Sequence, residues 1–313
     1  MTMQIEDELA QFSPPKETLL TIGVFDGVHL GHKFLISQVV SLAKQENRLS
    51  CVITFRQHPR DLLAPKSKLL YLCTVEERIQ LLKNEGLDIV VALSFNRELA
   101  RLTAREFVSL LVKHLKMRGL VIGPDFSLGK NREGNAETLR ALGQEMGFSV
   151  TVVAPKLING EVASSTIIRQ SLADGDMEKV TRLLGRPFRL HGKVARGEHR
   201  GTGLGFPTVN LNVDAKMALP PDGVYATRAY IGGQEYQAMT NIGRRPTFGE
   251  NNERTIESFI LHYNQDIYGK DVKIEIIKRL REEKHFDNVE DLKKQIAEDV
   301  KLGAAILNTQ GRE

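Results

Sequence analysis

Between Thr18 and about Val153, short apolar runs alternate with stretches of helical periodicity, and few folds satisfy that alternation. The runs at 19–24, 51–55, 89–93, 120–122 and 150–153 are each about one strand long, and the segments between them can hold a crossover helix. Thr74 with Glu77 and Thr103 with Glu106 have capping-box spacing and precede apolar residues three and four apart, which marks two helix starts. An open α/β sheet of parallel strands follows. A second helical region spans 164–184, with Asp174-Gly175-Asp176 as the turn between two short helices.

Gly185-Arg186-Pro187 ends that pattern. Beyond it come β-like runs at 190–194, 224–231, 237–240, 255–262 and 273–277, separated by turn signals such as Pro220-Pro221-Asp222-Gly223, Gly232-Gly233 and Tyr268-Gly269-Lys270. They predict a small antiparallel barrel or sandwich, closed by a helix over 288–307. The expected domains are 1–186 and 187–313, and a length of 313 residues is comfortable for two cores.

No apolar run approaches the roughly 20 residues a membrane helix needs. Residues 1–16 are acidic and carry prolines, unlike a secretory signal, so the expected location is the cytoplasm and no membrane is implied. Cys51 and Cys73 are too few for a four-ligand zinc site and read as structural thiols. A balance of 43 basic and 39 acidic residues suits small phosphorylated ligands; neither nucleic-acid binding nor a protein partner is inferred from it.

The most informative stretch is Gly23-Val24-Phe25-Asp26-Gly27-Val28-His29-Leu30-Gly31-His32, which leaves the first strand and enters a helix. Open backbone N–H groups and the positive helix end would meet there and seat a phosphate chain. His29 and His32, three apart, can both face that seat, and Gly31 would let a nucleotide approach closely. Metal binding by the pair lacks a third ligand at suitable spacing. The three-glycine dinucleotide pattern is absent, and the stretch from Gly123 to Lys130 is one residue too long for a P-loop. Ser164, Ser165 and Thr166, with Arg169 about one turn on, can cap a helix or hold an anion.

The decapeptide resembles the signature of the HxGH nucleotidyltransferases in the variant of the FMN adenylyltransferases. Gly123-Pro124-Asp125-Phe126-Ser127-Leu128-Gly129 is similar to that family's Gly-x-Asp-Phe-x-Phe-Gly, with Leu128 in place of Phe, and Ser164–Arg169 to its Ser-Ser-Thr-x-Ile-Arg. The resemblance implies a Rossmann-like nucleotidyltransferase domain that binds ATP through Gly23, Phe25, Asp26, Gly27, Gly31, Asp125, Ser164, Ser165, Thr166 and Arg169. His29 and His32 would be catalytic, and His58 would lie near flavin or phosphate.

In the second half, Gly192-Lys193 and a glycine-rich run through Gly203 and Gly205 lead to Phe206-Pro207-Thr208-Val209-Asn210. Thr208 and Asn210 are neutral oxygen ligands of the kind Mg²⁺ accepts. Gly205–Asn210 resembles the riboflavin-kinase motif Gly-x-Pro-Thr-Ala-Asn. Thr202 stands where that family usually has Arg, and Val209 replaces Ala. Asn241-Ile242-Gly243-Arg244-Arg245-Pro246-Thr247-Phe248 and Arg281-x-Glu283-x-x-Phe286 continue the likeness.

The resemblance to the bifunctional riboflavin kinase/FMN adenylyltransferases implies a Greek-key-type barrel in which Gly192, Lys193, Gly203, Gly205, Pro207, Thr208 and Asn210 bind ATP. Thr208 and Asn210 would hold Mg²⁺, Glu257 would be the base, and Asn241 and Arg281 would meet flavin. It further implies ATP as co-substrate and riboflavin, FMN and FAD as substrates and products.

Overall fold

The computed structural model describes residues 5–66, 68–195, 206–244 and 254–309. They fall into two compact units, residues 1–69 with 74–164, and residues 70–73 with 165–313.

The first unit is built on five parallel strands, β1 (Thr18–Ile22), β2 (Leu49–Phe55), β3 (Ile89–Leu93), β4 (Met117–Ile122) and β5 (Ser149–Val152), in the order β3-β2-β1-β4-β5. The strands match the five apolar runs, and most of β1, β2 and β4 is buried, as a sheet covered on both faces requires. A short helix α1 (Ile5–Ala10) precedes β1; α2 (Leu30–Gln45), α3 (Pro59–Leu63), α4 (Val75–Lys83), α5 (Ala104–Leu115) and α6 (Ala136–Met146) fill the crossovers. Thr103 and Glu106 form a full reciprocal capping box, whereas Thr74 caps α4 by accepting from the Glu77 N–H. Cys51 and Cys73 are buried and unoxidised, and burial pushes the Cys51 thiol far up. Strand order reverses between β1 and β4, so the crevice for a ligand lies beyond Ile22 and Ile122. A small hairpin, β6 (Leu157–Ile158) and β7 (Glu161–Val162), ends this unit.

The second unit begins with α7 (Ser165–Ala173) and α8 (Met177–Leu184), joined through the predicted turn. Six strands then close a barrel: β8 (Phe188–Ala195), β9 (Thr208–Val213), β10 (Gly223–Ile231), β11 (Gln234–Arg244), β12 (Arg254–Ile260) and β13 (Asp271–Arg281). The circular order β10-β11-β12-β9-β8-β13 sets β9 beside β12, the Greek-key return. Helix α9 (Val289–Thr309) covers one outer wall, where Leu307 packs on Ala226, Met239, Leu261 and Ile277. Among the described residues, no helix is long and apolar enough to cross a membrane.

Candidate functional sites

The chain leaves β1 at Ile22 and makes an abrupt turn. Phe25 (φ 54°), Gly27 (φ 79°) and Val28 (φ 39°) are left-handed, a conformation costly for the two residues with side chains. Phe25 and Val28 are nevertheless almost fully buried, so packing holds the strain in place. His29 then caps α2, its Nδ1 accepting the His32 backbone N–H at 3.3 Å. That bond uses the Nδ1 lone pair and leaves the neutral ring's proton on Nε2.

The His29 and His32 rings stack 3.5 Å apart, and Phe25 meets His32 edge-on at 5.1 Å. His32 Nδ1 is buried without a partner. Burial, then the neighbouring His29, then the Arg78 guanidinium hold this imidazole well below its usual pKa, so it is neutral near pH 7. A Cβ at Gly31 would stand 2.9 Å from the Ala163 carbonyl oxygen and 3.1 Å from His29 Nδ1. The absent side chain therefore serves close packing of this turn, a reason the motif alone does not give.

Beside the turn, at the strand ends, is a cavity of about 610 Å³. Gly23, His58 and Asp125, singled out in three separate motifs, line it together, with Phe55, Phe95 and Phe126 among its apolar walls. His58 also caps α3, its Nδ1 accepting the Arg60 N–H at 3.1 Å. Asp26 is 2% exposed. Leu128 is buried, as a packing residue in place of Phe should be. Ser164 belongs to this unit; Ser165, Thr166 and Arg169 lie on α7 of the other, where Arg169 Nε donates to the Leu70 carbonyl at 2.6 Å.

The barrel carries a second cavity, of about 420 Å³, beneath α9. Strand pairing explains how it forms. Asn210 on β9 lies opposite Glu257 on β12, Glu257 opposite Asn241 on β11, Asn241 opposite Val224 on β10, and Val224 opposite Arg281 on β13. Directly paired residues share a face, so five strands contribute one continuous row on the outer wall. Thr208, two residues before Asn210, points to the same side.

Glu257, Asn241, Arg281 and Thr208 line the cavity together with Glu283, Asp299, Leu292 and Ile296. Arg281 is clamped by Asp299 of α9 through bonds of 2.8 to 3.0 Å, and Asn241 Nδ2 donates to Glu283 Oε1 at 3.2 Å. On the inner face, Thr227, Thr240 and Ser258 are fully buried and joined hydroxyl to hydroxyl at 2.8 Å each, which pins β10, β11 and β12 in register behind Glu257.

Gly192 and Lys193 do not line this cavity; they sit in β8, where a Cβ at Gly192 would come within 2.8 Å of the Asn212 carbonyl oxygen. Pro207 is exposed just before β9. Gly203, Gly205, Thr202 and the stretch 245–248 lie outside the described residues.

Known proteins match both units. The family model for FAD synthetase covers residues 11–167, and that for riboflavin kinase covers residues 184–307. The bifunctional riboflavin kinase/FMN adenylyltransferase of Escherichia coli (strain K12) is 36% identical over 92% of each chain. That of Bacillus subtilis (strain 168) is 33% identical over 90% of each. A solved structure described as a macrolide-efflux protein from Streptococcus pneumoniae is 33% identical, with a TM-score of 0.85, covering 93% of this chain and 95% of that one. On this evidence the chain belongs to the bifunctional riboflavin kinase/FMN adenylyltransferase family, with its FAD-forming domain first and its FMN-forming domain second.

Proposed function

We propose that residues 1–186 transfer AMP from ATP to FMN at the β1–β4 crevice, and that residues 187–313 phosphorylate riboflavin in the cavity beneath α9. Neither step needs a covalent protein intermediate. In the first, the FMN phosphate attacks the α-phosphate of ATP in line and pyrophosphate leaves, so the protein's task is alignment and charge stabilisation. His29 and His32 donate ring N–H groups to phosphate oxygens, and Gly23, Phe25, Asp26, Gly27 and Gly31 of the turn are assigned to ATP with them. The motif Ser164, Ser165, Thr166 and Arg169 is assigned to ATP on its pattern of hydroxyls and a guanidinium. The aromatic cavity with His58 and Asp125 suits a flat flavin ring. The observation that supports this reading is the stacked imidazole pair at the head of α2, with His32 held neutral.

In the second step Glu257 takes the proton of the ribityl hydroxyl as it attacks the γ-phosphate of ATP. Thr208 and Asn210 share a face with Glu257 directly opposite Asn210, an all-oxygen set that fits Mg²⁺. The metal, when bound, would neutralise phosphate charge. Among the described residues no cluster of three His, Cys, Asp or Glu competes for a metal. Gly192, Lys193, Gly203, Gly205 and Pro207 are assigned to ATP, and Asn241 and Arg281 to flavin, Arg281 by shaping the wall while bound to Asp299. The expected location of both reactions is the cytoplasm.

The test supplies riboflavin, ATP and Mg²⁺ and separates products by chromatography. The double variant His29→Ala with His32→Ala should make FMN but no FAD. Glu257→Gln should make FAD only from added FMN, with the kinase rate down about 10²- to 10⁴-fold. Equal loss of both activities in either variant would sink the two-site assignment.

A further inference from the structure

Arg78 occupies an ordinary place in α4, yet it is 1% exposed and among the largest fully buried side chains of the described chain. A buried guanidinium is costly unless its donors are used. Its Nη1 donates to the Val24 carbonyl at 3.0 Å and its Nη2 to the Phe55 carbonyl at 2.5 Å, while Nε is buried without a partner. Val24 follows β1 and Phe55 ends β2; the two strands are neighbours, paired up to Ile22 and Ile53. The Val24 carbonyl also accepts from Thr54 Oγ1 at 2.8 Å, and the next residue is Phe25, the first left-handed position of the turn. One planar fork thus spans two strand ends at the base of the strained segment.

We propose that Arg78 is a positioning residue for adenylyl transfer: by tying the Val24 and Phe55 carbonyls together it fixes the turn that presents His29 and His32. The proposal rests on assigning those imidazoles to the adenylyltransferase site. An apolar residue would fill the space under the turn with no desolvation cost, but it would take a donor from each of two strand-end carbonyls and leave Val24 held by the Thr54 hydroxyl, with nothing tying it to Phe55. The charge has a second effect. The titratable and charged groups that act on His32 are His29, from the cap of its own helix, and Arg78, from α4; with burial, both favour the neutral ring. The residue that holds the turn therefore also helps keep the His32 ring neutral.

The experiment uses the full chain with Arg78→Met and Arg78→Lys. It measures kcat and KM for FAD formation from FMN, the riboflavin kinase rate of the same preparations, and the NMR titration of the His32 imidazole. In Arg78→Met, kcat for FAD formation should fall about a hundredfold through misplacement of the reacting groups, with little change in KM. Kinase turnover should hold, and His32 should titrate at higher pH than in the parent protein.

Arg78→Lys keeps the charge but cannot fork across both carbonyls, so the His32 titration should stay low while kcat drops by about tenfold. Parental kcat in Arg78→Met overturns the proposal, as does a loss of kcat matched by equal loss of kinase turnover. Should Arg78→Met fail to fold, Arg78→Lys decides: reduced kcat supports the idea and parental kcat overturns it. His32→Gln separates the two levels. If that variant still makes FAD at the parental rate, the assignment of the imidazoles is wrong; if it is inactive while Arg78→Met is not, only the role of Arg78 falls.

Discussion

An imidazole held neutral by its surroundings links the chemistry of the first site to the stability of its unit. His32 in the folded chain resists protonation well below the ordinary imidazole value of 6.5, whereas the unfolded chain takes up the proton there. Below that pH the unfolded state binds more protons, so stability contributed by His32 is complete above about 6.5 and is lost as pH falls, at up to about 1.4 kcal/mol per pH unit. Thermal unfolding followed from pH 7.5 to 5 should show this loss, and His32→Gln should flatten it. The pair at 29 and 32 was legible in the sequence because its spacing and its place after a strand carry meaning. Arg78 was not: a single arginine in a helical pattern reads as solvated surface, and only the fold brings its fork to Val24 and Phe55. Gly31 and Gly192 show a different limit, since a nucleotide seat and a tight backbone contact both ask for glycine, and the close contact to the neighbouring chain at each was invisible in the sequence.

Elements with a strong period or a reciprocal cap were readable to within a few residues. The β3 run coincides with its strand, and the capping box at Thr103 marks the start of α5. Thr103→Ala should cost about 1 kcal/mol, read as a shift in the denaturant midpoint of the first unit. Elements whose existence depends on distant partners were missed. Strand β9, residues 208–213, alternates too weakly to announce itself and is read instead as a metal-binding motif; it becomes a strand by pairing with β8 and β12. The same holds for α1, which is kept by burying Ile5 and Leu9, and for the two-residue strands of the hairpin at 157–162. Within the barrel, the hydroxyl chain of Thr227, Thr240 and Ser258 is a fully buried network, where a missing partner is expensive. Thr240→Val should lower stability by about 1 to 3 kcal/mol, measured by chemical denaturation, because it takes the Thr240 bond from the buried Ser258 hydroxyl, while Thr227 keeps its bond to the Ala238 carbonyl.

At the scale of the whole chain, two ATP-consuming reactions share a polypeptide, and the product of one is the substrate of the other. The family fixes this order of chemistry, FMN from riboflavin and FAD from FMN. Riboflavin with excess ATP should therefore give FMN first and FAD after a lag, and a time course by chromatography checks it. Added pyrophosphate should slow the second product and not the first, because only the adenylyl step releases it.

The cavity beneath α9 has the carboxylate proposed as base on one element and its roof on another: Glu257 belongs to the barrel wall, while Leu292, Ile296 and Asp299 belong to α9. Part of what shapes the chamber is thus written on a different stretch of chain from the proposed base. Substitutions at Leu292 or Ile296, away from the Asp299 clamp on Arg281, would reshape the roof without altering Glu257, which would give selection, or an engineer, a handle on flavin analogues apart from the proposed phosphoryl chemistry.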